Sequence, residues 1–159
     1  RDDPGAAPAD EGGYEIAGFV WLQGYNDQFD ENARKEYGTN LVCLIKDLRK
    51  EFMAPNMKAV VGVMGVNGVN NEVGKQKEVR DGQRFVNIVP EFKGNVKAFR
   101  ADLLVDKAAE ELFPTWQKNG EQWGRTGSDR PYHYYGSAIW FTRIGHAMGE
   151  AMIELMTKK

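Results

Sequence analysis

Short apolar runs alternate along this chain with longer segments of helical period. Glu15 to Leu22 carries the run Ile16-Ala17-Gly18-Phe19-Val20-Trp21, Lys58 to Met64 is rich in valine and closed by Gly65, and Asn95 to Ala101 forms a third, shorter run. Between the first two, Tyr37, Leu41, Leu44, Ile45, Leu48 and Phe52 recur at helical spacing, Lys46, Asp47, Arg49, Lys50 and Glu51 fill the other face, and Pro55 marks the stop. Glu72 to Val89 reads as a second helix ending near Pro90, Lys107 to Phe113 as a short one, and residues 116–130 as loop. A last helix starts near Tyr135 with the stripe Ile144, Ala147, Met148, Ala151, Met152 and Leu155. The order β-α-β-α-β-(short α)-loop-α predicts an α/β fold with a parallel sheet. The continuous first run predicts a strand buried on both faces.

The 159 residues fit one domain. Residues 1–13, rich in Asp, Ala, Pro and Gly, read as a flexible lead-in or linker, and 14–159 as the folded unit. Three strands are few for a doubly wound sheet, which has about five or six. The polar start without an initiator methionine points the same way, to a chain whose N-terminal part lies elsewhere. A net charge of -2 with no basic stripe argues against nucleic acid as partner. No stretch reaches the roughly 18 apolar residues of a membrane span. The single Cys43, inside Leu41-Val42-Cys43-Leu44-Ile45, is expected to be a buried thiol. No HExxH, CxxC, EF-hand, P-loop or dinucleotide pattern is present, so neither a metal nor a cofactor is expected.

In open parallel sheets ligands bind beyond the carboxyl ends of the strands. The segment after the first strand is Gln23-Gly24-Tyr25-Asn26-Asp27. Gly24 permits a sharp turn, and the Asn26 amide is a candidate oxyanion donor. A simple helix-entry turn, with Asp27 or Asp30 as cap, accounts for the same residues. Two histidines occur. His146 lies off the centre of the last helix's apolar stripe and reads as structural or surface. His133, in the loop before that helix, has the near-neutral titration that suits a general base; it could equally be a histidine packed among aromatics. Asp129 is its candidate carboxylate partner or, within Gly-Ser-Asp-Arg-Pro, a turn former. Trp116, Trp123, Tyr132, Tyr134 and Tyr135 gather near His133, as sugar-stacking faces or as core.

Together these segments resemble a known family. Phe19-Val20-Trp21-Leu22-Gln23-Gly24-Tyr25-Asn26-Asp27 resembles the W-x-Q-G-x-x-D/N block of sialate O-acetylesterase-like carbohydrate esterases, and Gly24-Tyr25-Asn26-Asp27 the G-x-N-D block of the wider SGNH hydrolase superfamily. Tyr132-His133-Tyr134-Tyr135-Gly136-Ser137-Ala138 and the helix after it resemble that family's last block. The resemblance implies a three-layer α/β/α, SGNH/flavodoxin-like fold and hydrolysis of acyl esters, commonly acetyl, on carbohydrates. It makes Asn26 the oxyanion donor, His133 the base, and Gln23 and Gly24 substrate- or loop-positioning residues. It also implies an extracytoplasmic setting, periplasmic or secreted. Two departures stand out. The family's acid lies two or three residues before the histidine, where this chain has Pro131 and Arg130, with Asp129 one step further. Ser128 and Ser137, the only serines, both flank His133, and neither sits in the early G-x-S block that supplies the family's nucleophile. Two readings follow: an esterase whose serine is carried by an N-terminal fragment or second chain, or a non-catalytic carbohydrate-binding or scaffold protein derived from one. An unrelated α/β binding domain is a third.

Overall fold

The computed structural model describes residues 15–66, 68, 73–128 and 131–157. Three strands, β1 (Gly18–Trp21), β2 (Lys58–Val63) and β3 (Val96–Arg100), form a wholly parallel sheet in the order β1-β2-β3. The main helices are α1 (Glu31–Glu51), α2 (Gly74–Arg84) and α5 (Ala138–Thr157), with short helices α3 (Lys107–Leu112) and α4 (Gly120–Gly124) between them. The expected α/β architecture is therefore present. Among the described residues no helix is long and apolar enough to cross a membrane.

The valine-rich β2 is central, and Ala59, Val60, Val61 and Val63 are fully buried. Period-two alternation sends these side chains to opposite faces. Val60 packs with Ala151 and Leu155 of α5, whereas Ala59 and Val61 join the cluster that includes Tyr37, Leu41 and Ile45 of α1. Helices thus cover both sides of the sheet. Asp30 starts α1 by accepting the Ala33 N–H at 2.8 Å, which identifies it as the helix cap. At the other end Arg49 donates to Met57 O and to Asn95 Oδ1 (2.7 Å), tying the exit of α1 to the entrances of β2 and β3.

The structure corrects several expectations. β1 is not buried on both faces: it lies at the edge of the sheet, and Val20 is 51% exposed. The far edge, β3, is covered by Asn87, whose side chain exchanges two hydrogen bonds with the Ala98 backbone. The second helix stops at Arg84 and gives way to the 3-10 turn Phe85–Ile88. Residues 116–130 are not all loop, because α4 falls within them. α5 starts at Ala138 rather than near Tyr135. Cys43 is exposed, not buried. At 100° per residue it stands opposite Leu41 and Ile45, the positions α1 buries, although all three belong to one apolar run. The lead-in at 1–13 lies outside the described residues.

Ile45 and Cys43 therefore make a matched test of how α1 is rotated. Ile45→Ala should lower unfolding free energy in urea by about 2–5 kcal/mol, and Cys43→Ala should stay within about 0.5 kcal/mol of the parent. Native-state labelling of Cys43 by a thiol reagent is expected. Protection of that thiol until unfolding would mean α1 presents another face.

Candidate active site

Beyond β1 the chain turns at Gly24, whose φ of +141° is a conformation that residues with a Cβ rarely adopt. The site is also crowded: a Cβ here would lie 2.8 Å from Gln83 Nε2 and 2.9 Å from Val79 Cγ1. Asn26–Phe29 then form one turn of 3-10 helix leading into α1. Gln28 donates to Tyr25 O at 2.7 Å, and Arg34 donates to Gln28 O at 2.8 Å, bracing that turn. The Gln23 side chain is engaged on both sides. Its amide donates to Asp27 Oδ2 (2.5 Å), and its Oε1 faces the Tyr37 hydroxyl at 2.9 Å. Asp27 is thus a loop anchor. Behind the loop, the Tyr37 hydroxyl also lies 3.0 Å from Gln23 O and accepts from the Trp21 indole at 3.2 Å.

His133 is placed by a second tight loop. Tyr134, Tyr135 and Gly136 have φ values of +52°, +55° and +64° in succession. Two adjacent tyrosines in the left-handed region cost about 1–2 kcal/mol each, so packing must hold them there. The rings supply it. Tyr134 meets Trp140 edge-on at 5.0 Å, and Tyr135 lies 4.6 Å from Phe113. Backbone bonds close the turn, from Gly136 N–H to His133 O (2.8 Å) and from Ser137 N–H to Tyr134 O (3.0 Å). Gly65 N–H donates to the Tyr134 hydroxyl, joining this loop to the end of β2. Ser137 is fully buried; its hydroxyl donates to Asp106 Oδ2 at 2.6 Å and accepts from Trp140 N–H at the start of α5.

The two loops meet over a cavity of about 340 Å³ at the strand ends. Gln23, Gly24, Asn26 and His133 all line it, with Tyr25 and Tyr134, and Leu22, Met64, Val66 and Phe141 supply apolar wall. The Tyr25 ring stands 4.4 Å from the imidazole of His133, at 62° to it. Four of the five residues singled out in the sequence are therefore neighbours. Asp129 lies outside the described residues. Neither serine lines the cavity. Of the aromatics near His133, Trp123, Tyr134 and Tyr135 are buried, Trp116 packs on Trp123 at 6.1 Å, and Tyr132 stays exposed. His146 is on the exposed side of α5.

Sequence reasoning missed the residues behind the loops. Tyr37 is legible as a core position of α1, but not as a hydroxyl shared by the loop. Asp106 and Ser137, 31 residues apart, carry no local pattern. Gln83 lies in α2 with nothing in its neighbourhood to mark it as buried.

Burial raises the pKa of Tyr37, hydrogen bonds from Gln83 and Trp21 oppose the rise, and the charge of Asp27 adds to it. Burial likewise raises Tyr134, against the Gly65 hydrogen bond and the charge of Arg80. Tyr135 rises through burial and the nearby Glu110. A phenol is neutral when protonated, so a raised folded pKa gives stability that is complete below the ordinary value of 10.0 and is lost as pH rises through the folded value. Urea midpoints should be insensitive to these groups from neutrality to about pH 9 and should fall above about pH 10. Tyr37→Phe should make that alkaline fall shallower; an unchanged slope would show that Tyr37 is not among the phenols held protonated.

Residues 6–110, about two thirds of the chain, match the family described as carbohydrate esterase, sialic acid-specific acetylesterase. The loop Gln23–Asp27 falls inside that stretch and His133 outside it. Over 77 residues the chain is 30% identical to an Arabidopsis thaliana protein named "probable carbohydrate esterase", a match covering 48% of this chain and 29% of that one. The chain thus spans under a third of that relative's length. No solved structure matches. The match over residues 6–110 shows that the chain belongs to the carbohydrate esterase family of sialic acid-specific acetylesterases.

Proposed function

We propose that this chain supplies the oxyanion donor and the general base of a serine esterase that removes acetyl groups from carbohydrates. The observation that carries the reading is the meeting of Gly24-Tyr25-Asn26 with His133 in one cavity, although the two loops are far apart in sequence. In this mechanism a serine hydroxyl attacks the acyl carbon and His133 takes its proton. The Asn26 amide, held on a stiff turn, donates to the oxygen that becomes negative. His133 then returns the proton to the departing sugar oxygen, and water releases the acetyl group by the same two steps in reverse roles. Asp129 is proposed as the carboxylate that orients His133. Gln23 is proposed to hold the loop's shape through Asp27 and Tyr37, and Gly24 to bring its backbone against the substrate.

The serine is proposed to lie on a segment outside this chain that pairs with β1. The half-exposed Val20 on that edge supports this, as does a hollow of about 270 Å³ beside it lined by Trp21, Tyr37 and Leu41. A periplasmic or secreted setting would put such an enzyme beside its polysaccharide. The competing reading, a carbohydrate-binding or scaffold protein without catalysis, rests on a different observation: Ser137 is buried on Asp106 and neither serine reaches the cavity.

Aryl-acetate hydrolysis by the protein expressed with its upstream coding sequence decides between them. The esterase reading expects turnover that a serine-directed phosphonate abolishes. Asn26→Ala should lower kcat roughly 10²–10³-fold. His133→Ala should lower it roughly 10⁴-fold or more. Rates unchanged in both variants would remove the site assignment, and no turnover from a G-x-S-bearing parent would leave the binding reading in its place.

A further inference from the structure

We infer that Gln83 of α2 is the positioning residue for the oxyanion loop, its side-chain amide standing in for the next rung of the sheet. The inference rests on the esterase reading for its catalytic consequence, though not for its geometry. Gln83 is fully buried, which is rare for a glutamine unless its amide is satisfied. Here it is. Nε2 donates to Gln23 O at 2.6 Å and lies 3.3 Å from the Tyr37 hydroxyl, while Oε1 accepts the Met64 N–H at 2.7 Å.

Those partners explain what the amide does. The β1–β2 pairing runs in register from Gly18↔Lys58 to Trp21↔Val61 and then stops. Two residues on, Gln23 O and Met64 N are the acceptor and donor that a continued parallel ladder would bring together. The Gln83 amide sits between them, accepting from one strand and donating to the other. A primary amide has the donor–acceptor pattern of a peptide group, so both strand ends stay satisfied while held one amide width apart. The cavity opens at that place, with Leu22 and Met64 in its wall.

The same amide supports the loop directly. Gly24 rests on it so closely that a Cβ would lie 2.8 Å from Nε2, and the next residues are Tyr25 and Asn26. Gln83 lies behind the cavity and is not among the residues that line it. Its effect reaches the reacting atoms through the turn it holds. Misplacing a donor by about 1 Å costs roughly 10²-fold in rate, enough to make such a brace matter.

Two measurements test this. In the parent chain, the Gln83 side-chain amide protons should resist solvent exchange in NMR spectra and show contacts to Gly24. Rapid exchange without those contacts would overturn the inference, and no variant is needed to see it. In Gln83→Met, similar in length but without donor or acceptor, backbone exchange should speed up at Gly24–Asn26 and at Met64, with α5 unchanged. In the serine-bearing full-length protein the same variant should lose roughly 10- to 100-fold in kcat on an aryl acetate, with KM within about 2-fold. Ile45→Ala is the control for a merely structural effect, since its folded fraction should keep the parent kcat. Gln83→Met with unaltered loop exchange and unaltered kcat would overturn the inference. Faster loop exchange alongside a parent that hydrolyses no ester would uphold the brace and remove the esterase reading instead.

Discussion

The burial of β2 from Ala59 to Val63 is the constraint from which the rest of the molecule follows. A strand with no exposed face needs helices on both sides, and a parallel partner on each edge keeps its backbone groups paired. α1 and α5 supply the cover, β1 and β3 the pairing. With both faces of β2 occupied, that strand is reached only at its ends. The two loops with distinctive chemistry, after β1 and before α5, converge at those ends.

Each loop is made rigid in a different currency. The Gly24 loop is held by hydrogen bonds among Trp21, Gln23, Asp27, Tyr37 and Gln83. The His133 loop is held by rings, with Tyr134 and Tyr135 locked against Trp140 and Phe113. Well-placed aromatic pairs contribute about 0.5–1.5 kcal/mol beyond their buried area, which is of the size needed to offset two left-handed tyrosines. Tyr25 links the two systems, since it belongs to the first loop and its ring meets His133.

The alternation of elements was legible because β2 and α1 have strong periodicity and clear stops at Gly65 and Pro55. The encounter of Asn26 with His133 was legible only through the motif resemblance, since spacing by itself left both with ordinary explanations. What stayed hidden was hidden for physical reasons. Cys43 sits in an apolar run, but a helix buries only a stripe of such a run. Val20 belongs to a strand-like run whose exposure depends on its place at the sheet's edge, which no local pattern encodes. Gln83 and Asp106 are polar residues buried by long-range pairing, against the usual tendency of their types. The late start of α5 is hidden because Tyr134 and Tyr135 favour regular backbone, and only the finished aromatic cluster overrides that preference.

In a free chain two neighbouring tyrosines seldom turn left-handed together, so the bend at 134–136 becomes stable only once Trp140 and Phe113 are seated beside it. The position of His133 is therefore contingent on the aromatic cluster that holds the turn beside it. Folding and the shape of the cavity are joined at this turn, and a chain that has not finished packing holds no imidazole there.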